Sequence, residues 1–364
     1  MNIKRLLRPL PFILILILIG VLTVLLFPAS GKAITHAALM ISAFLFAVLA
    51  HETGHLLIGT LVGLKPEELI VGPMMIVFTK GSIRLRPNDS WLRFGGTMRF
   101  SACSADLNVM ARRWSWMALG GPAASLFTAL LILLLPPFWP LFKELLLWIS
   151  FVVGAATLFP LSNGSTHSDG KLFLLLHKSS ARAHLLMAGV ILQKDYLSER
   201  QPADWNPKII NAAAQLLNGL PERTPEQLAE ENELRMYLYL HYADKRQPEE
   251  ALKYIRPVCL TKHPYSSIPV SRIMIDSLYA SHLLLYPPQD IRSCEEAEAL
   301  VKALPNNEPY SYHKAWAALL SVQGNKEEAM EHLSQARVLL DRWFRPFGTY
   351  RLERNILSQI ENQL

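Results

Sequence analysis

The sequence predicts a mainly α-helical protein with two parts: a polytopic membrane core of about four spans, carrying a small β element after the second span, and a soluble α-helical, repeat-like domain. The 364 residues are 51% hydrophobic and have a mean hydropathy of +0.20, which is too apolar for one soluble domain. The apolar runs end near residue 178, and the remainder is charged and rich in helix-forming residues. We therefore predict a membrane domain at 1–178 and a second domain at 179–364.

Four apolar runs define the predicted membrane domain, each near the ~20 residues that a helix needs to cross a bilayer. They cover residues 10–28, 34–64, 114–135 and 141–160. The first run follows basic residues and could also be a cleaved signal peptide, but we favour a retained span because further spans follow. The third and fourth runs are joined by a very short loop, which predicts an antiparallel helix pair.

A polar, basic segment at 65–113 separates the second and third spans. Strand-like residues at 69–71, 74–79 and 82–86, with a turn at Lys80-Gly81, predict a β-hairpin or small sheet. Its excess of Arg and Lys predicts a cytoplasmic loop. The same rule places both termini in the cytoplasm, so we expect an integral multi-pass protein of a bacterial-type cell membrane, in contact with the lipid bilayer.

The second span contains His51-Glu52-Thr53-Gly54-His55. Residues four apart share a helix face, so His51 and His55 can hold one ion. Glu52 lies beside them and is the only acidic residue of the run at 34–64. Two imidazole ligands and a carboxylate base are typical of zinc hydrolases. Ionisable residues inside a span are costly and by default indicate a functional site.

A catalytic zinc usually has three protein ligands. The polar patch after the fourth span is the one at matching depth, and Asp169 is the preferred third ligand. Asp169 could instead cap or turn into a helix predicted at 171–177. His167 is the alternative ligand, whereas His177 and His184 lie among charged residues and are expected on the surface.

These residues resemble the site-2 protease family of intramembrane zinc metalloproteases, over roughly residues 34–176. The resemblance is carried by the His-Glu-x-x-His pattern at 51–55, the small residues at 121–125 and Asp169-Gly170. It implies a three-helix catalytic core, one Zn²⁺ per chain held by His51, His55 and Asp169, and Glu52 as catalytic acid and base. It also implies hydrolysis of membrane-embedded protein or peptide substrates.

The family's pattern is not reproduced everywhere. It typically has an Asn opening the last-span motif and prolines before the Asp-Gly pair; here residues 162–168 hold no proline, and Asn163 is the nearest equivalent. The small residues at 121–125 could equally serve close helix packing. The family often places a membrane-associated β element after the first core helix, and residues 69–86 occupy that position, where an unwound substrate could pair as an added strand.

Charge and cysteine content exclude other classes. The net charge is +6 and the pI about 9.2, but the basic residues flank apolar runs, so no nucleic-acid partner is expected. Three isolated cysteines, Cys103, Cys259 and Cys294, favour reduced thiols over disulfides or a cysteine metal site.

The second domain resembles tetratricopeptide repeats. A Glu-Glu-Ala motif recurs at 249–251, 295–297 and 327–329, and Gly324 stands at an expected helix–helix turn. The domain could dock a cytoplasmic protein partner or stabilise the enzyme as a helical cap.

Two other functions compete with a protease. One is a non-catalytic membrane scaffold with a relic metal site and a repeat-based docking domain, which an intact Glu52 disfavours. The other is a zinc-handling transporter, which needs polar residues along a path, and the first span has none.

Overall fold

The computed structural model describes residues 8–79, 81–88, 91–101, 104, 106–136, 139–163, 166–178, 180–218, 225–260, 270–286 and 291–364. The chain divides into two compact units, Met1–His184 and Leu185–Leu364. The prediction of a mainly helical chain with membrane-length helices and a small sheet is confirmed.

Four helices of the first unit are long and apolar enough to span a membrane. They are α1 (Pro9–Leu26), α2 (Gly31–Leu61), α3 (Leu107–Leu134) and α4 (Pro140–Leu158). A 3₁₀ turn at Pro28–Ser30 joins α1 to α2. Helix α3 begins seven residues before the span predicted from 114, because Asp106 caps it by accepting from the amides of Asn108 and Val109.

Between α2 and α3 the chain forms a four-stranded antiparallel sheet of β1 (Lys65–Val71), β2 (Met74–Thr79), β3 (Ser82–Pro87) and β4 (Thr97–Ser101). Its order is β3-β2-β1-β4, so β3 and β4 are the edge strands. The second and third strands agree with the predicted ranges to within one residue, whereas β1 begins four residues before the predicted start at 69. The fourth was not predicted, although Thr97–Ser101 alternates polar and apolar residues; the run is only five residues long and follows two glycines, which are typical of a loop.

After α4 come a two-residue strand pair, β5 (Ser162–Asn163) and β6 (Thr166–His167), then α5 (Asp169–His177) and α6 (Ala181–Tyr196). Helix α3 lies at the centre of the unit, in contact with α2, α4 and α5. Backbones of α2 and α3 touch at Gly54 and Gly120: a Cβ on Gly54 would lie 2.2 Å from the carbonyl oxygen of Gly120. Small residues therefore do serve close helix packing here.

The second unit is helical. Its helices after α6 are α7 (Pro207–Asn218), α8 (Pro225–Asp244), α9 (Pro248–Cys259), α10 (Val270–Leu285), α11 (Ile291–Ala303), α12 (Pro309–Val322), α13 (Lys326–Trp343) and α14 (Thr349–Gln363). Three successive pairs pack together, α8 with α9, α10 with α11 and α12 with α13. The recurring motif falls in the second helix of each pair, and its alanines Ala251, Ala297 and Ala329 are fully buried.

Cys259 and Cys294 are not joined in a disulfide, and both are half-buried. Cys103, Lys80 of the predicted turn, and residues 164–165 of the polar patch lie outside the described residues.

Candidate metal centre

His51 and His55 lie on the buried face of α2, and each ring is held by α3. Nδ1 of His51 is 3.0 Å from the hydroxyl of Ser125, and Nδ1 of His55 is 2.8 Å from the carbonyl oxygen of Met117. The two Nε2 atoms are thereby directed at each other, 3.2 Å apart. Both residues are nearly inaccessible, at 6% and 7% exposure.

Asp169 completes the cluster from the first turn of α5. Its Oδ2 lies 3.2 Å from Nε2 of His51, and its Oδ1 lies 3.6 Å from Nε2 of His55. The three donor atoms lie within 4.8 Å of one another, and this group could hold a metal ion. Burial raises the pKa of the Asp169 carboxyl group, but hydrogen bonds from Nε2 protons of His51 and His55, together with the charge of both rings, lower that pKa to about 2. The carboxylate is therefore ionised at neutral pH, as a ligand must be. These Nε2 protons are the ones that a bound cation would displace.

Asp169 does not cap its helix, which was the alternative role. The cap of α5 is Ser168, whose hydroxyl accepts from the amide of Lys171. The helix consequently begins at Asp169 instead of at 171, and the aspartate side chain is left to reach the histidines. Gly170 allows this approach, since a Cβ there would lie 1.7 Å from the carbonyl oxygen of Leu158 at the end of α4.

His167, the alternative ligand, lies elsewhere. Its Nδ1 is 3.0 Å from the hydroxyl of Ser162, across the short β5–β6 pair. Within the part of the chain that the structure describes, the metal-ligand cluster contains His51, His55 and Asp169 and not His167. His177 is exposed and His184 bonds to Asn108, so neither joins the cluster.

The donor set fits a divalent cation. A carbonyl oxygen can only accept, so Nδ1 of His55 carries the proton and its Nε2 presents a lone pair in the neutral ring. The Gly121 amide is also 3.2 Å from this Nδ1, but the shorter contact with Met117 decides the tautomer. The Ser125 hydroxyl can accept from His51 in the same way. Two lone pairs and a carboxylate then converge, and a cation between them removes their mutual repulsion.

Space for an ion beside the imidazoles depends on Gly121. A Cβ at this position would lie 2.3 Å from Nε2 of His55 and 2.6 Å from Nε2 of His51. The stretch at 121–125 therefore contributes more than packing: Gly121 leaves room at the donor atoms, and Ser125 orients His51. Sequence reasoning identified the stretch but not these two roles, which depend on the α2–α3 crossing.

Glu52 is buried next to β4. Its Oε1 would be 2.6 Å from a Cβ on Gly96, a glycine with φ of +109°, and the backbone amide of Met98 donates to the carboxylate. The acid of the motif thus lies between the histidines of its own helix and an edge strand of the sheet.

The second unit holds a separate cavity of about 510 Å³. It is lined by side chains of α8, α10 and α14 and of the turns that follow α8 and α10, among them Asp244, Arg246, His282, Asn355 and Gln359. It contains no catalytic pairing comparable to the cluster on α2 among the residues described.

Comparisons with models of protein families, with curated proteins and with solved structures found no match for this chain.

Proposed function

We propose that the chain is an intramembrane zinc metalloprotease, which hydrolyses peptide bonds of membrane-embedded or membrane-proximal substrates. The observation that supports it most is the convergence of His51, His55 and Asp169 beside Glu52 on an apolar, membrane-length helix. Ionisable groups are expensive at such a place, and a metal hydrolase site is the function that uses this set of residue types.

His51, His55 and Asp169 would hold one zinc ion. Bound there, zinc supplies Lewis acidity, which polarises the scissile carbonyl and makes water a nucleophile at neutral pH. The chain's part is to hold that chemistry in place. Ser125 and Met117 fix both imidazoles, and Ser168 takes over the helix cap so that the Asp169 carboxylate stays available.

Glu52 is the proton-transfer group of the proposal. Its carboxylate accepts a proton from the attacking water and returns it to the leaving amine nitrogen. Contact with Gly96 and the hydrogen bond from Met98 hold the carboxylate in one orientation. Asp169, at 22% side-chain exposure, is the most accessible member of the cluster and marks the side from which water enters.

Strand β4 is the proposed place where substrate binds. A helical substrate hides its carbonyls in hydrogen bonds and must unwind before it is cut. An edge strand offers unpaired backbone groups to an extended chain. The edge strands are β3, which lies in the range expected from the sequence, and β4, which borders Glu52. We assign the role to β4 because of this proximity.

We further propose that both termini and the β-sheet lie in the cytoplasm. The basic residues of the 65–113 segment support this orientation. Reporter fusions after Leu135 and after Leu364 test it: the first should report the outer side and the second the cytoplasm. Two fusions on the same side would contradict the four-span topology.

The proposed activity is tested by comparing cells that express the wild-type chain with cells that express Glu52→Gln. New protein termini inside or beside membrane spans are expected only with the wild type, while both proteins bind zinc. A variant that generates the same termini would refute the role of Glu52. If neither protein generates them although both bind zinc, the scaffold with a relic metal site is the better explanation.

The cavity in the second unit supports a docking role for that unit within the same proposal. Its lining includes one acidic side chain, Asp244, one basic side chain, Arg246, and the amides of Asn355 and Gln359, which donate and accept hydrogen bonds. A cytoplasmic protein partner bound there would select or deliver substrates for the membrane unit. Substituting Arg246, Asn355 and Gln359 with Ala should then reduce cleavage in cells but leave zinc content unchanged; unchanged cleavage would favour the helical cap.

A further inference from the structure

A second pair of imidazoles meets in the C-terminal unit. His313 on α12 and His332 on α13 face each other across a helix hairpin, with their Nδ1 atoms 3.0 Å apart. Their ring centroids are 5.0 Å apart, close to the 4.8 Å of His51 and His55. The hairpin is tight because a three-residue connection, with Gly324 at φ +77°, joins the two helices.

The spacing is that of two ligands on one ion. Two nitrogens at about 2.0–2.1 Å from a tetrahedral zinc are about 3.3–3.4 Å apart. Small rotations of half-buried side chains are enough to reach that distance from 3.0 Å. Neutral imidazoles at this distance can also share one proton in a direct hydrogen bond, and a metal ion would replace that proton.

The surroundings of the pair resemble those of a ligand site. Trp316 stacks on His332 at a centroid distance of 5.9 Å and an angle of 27°, and Tyr312 lies against both imidazoles. These rings screen the nitrogens from water on one side. The buried indole N–H of Trp316 finds no acceptor among the described residues, so no hydrogen bond fixes that ring.

Helix α13 also offers a carboxylate. Glu328 precedes His332 by four residues, so both side chains lie on one helix face. Among the described residues its carboxylate does not lie at ligand distance from both imidazoles, so a change of rotamer of this exposed side chain would bring it to His332. Two imidazoles with one carboxylate are donors that zinc accepts, with water in the remaining position.

We propose that His313 and His332, assisted by Glu328, form a second zinc site, which links α12 to α13. The ion would stabilise the packing of α12 against α13, since each of these helices contributes a ligand. The inference is independent of the proposed protease function, because none of its residues belongs to the membrane unit.

Zinc content of the purified full chain in detergent tests the site. After dialysis against buffered low-micromolar zinc, the wild type should hold two zinc ions per chain and His313→Gln/His332→Gln one. Glutamine keeps side-chain hydrogen bonding across the hairpin, so loss of zinc is not loss of the fold. His177→Ala is the control, since it removes an exposed imidazole that packs on Trp116 and Phe173, and should keep two.

Fluorescence locates the ion. Cu²⁺ binds imidazoles more strongly than zinc and quenches an adjacent indole. Quenching by Cu²⁺ should therefore decrease markedly in Trp316→Phe and in the His313/His332 variant, but not in His36→Ala, which removes an exposed imidazole with no indole contact among the described residues.

The outcomes separate this site from the one on α2. A His313/His332 variant that holds as much zinc as the wild type overturns the second site. A His51→Ala/His55→Ala variant that still holds one ion, lost when His313 and His332 are also replaced, supports it whatever the outcome for the protease.

Discussion

His51 and His55 illustrate how much of a metal site depends on atoms outside its motif. The Nδ1 atom of each ring bonds to a group on α3: that of His51 to the Ser125 hydroxyl, and that of His55 to the main-chain carbonyl of Met117. The sequence could predict the pair and its spacing, because both follow from helix periodicity. The Met117 carbonyl could not be predicted, since every residue carries one and only the helix crossing selects it.

Gly121 provides the sharpest test at the residue scale. In Gly121→Ala the new methyl would lie within 2.3–2.6 Å of both Nε2 atoms, so the imidazoles must move. Helix propensity alone would favour alanine, so weaker binding would have a steric cause. We expect zinc affinity to fall by at least about 10-fold, the range seen when the support of metal ligands is removed.

The control for this substitution is Gly20→Ala. It makes the same change in another apolar helix, where the methyl would be 3.6 Å from Ile34, an ordinary contact. Zinc titration of both purified proteins provides the measurement. Equal affinities would show that Gly121 does not provide space for the ion.

Among the secondary-structure elements, β4 departs most from what the sequence predicted, because it was not expected as a strand and yet it borders Glu52. Residues 69–86 were expected to present substrate; within that range β3 is an edge strand, whereas β1 and β2 are interior strands. The free edge that borders Glu52 belongs to Thr97–Ser101, a run of only five alternating residues that follows two glycines. Sheet order is a property of long-range pairing, so the local pattern could not reveal which strand would lie beside the acid.

A photo-crosslinking amino acid distinguishes the two edges. Placed at Met98 on β4 in a Glu52→Gln background, it should capture those proteins whose cleavage depends on Glu52. Placed at Leu85 on the opposite edge strand β3, it should capture few of them. The captured proteins are identified by mass spectrometry. Preferential capture from Leu85 would show that substrates bind at β3, which would contradict the assignment to β4.

The cap of α5 shows the same limit on a smaller scale. Ser168 and Asp169 are both good N-cap residues, so the sequence alone left the aspartate with two possible roles. The structure gives the cap to Ser168 and directs Asp169 to the histidines. A shift of the helix start by one residue would make the Asp169 carboxylate the helix cap instead of a metal ligand.

For the whole molecule, composition predicted the architecture well. The four apolar helices agree with the runs read from the sequence, because hydrophobic length is a local property. The repeated alanines at 251, 297 and 329 likewise fall in successive helix pairs and are buried. The contact between His313 and His332 could not be predicted from the sequence, because the two residues are on different helices and no short motif joins them.

The most direct measurement of the central claim uses purified chain reconstituted in liposomes with a single-span substrate identified in cells. Wild type and Glu52→Gln are compared in the same preparation for zinc content and hydrolysis rate. The proposal predicts equal zinc and a rate lower by about 10²–10⁴ in the variant, the usual contribution of a general acid–base group. Equal rates, or hydrolysis that persists after His51 and His55 are both replaced, would contradict it.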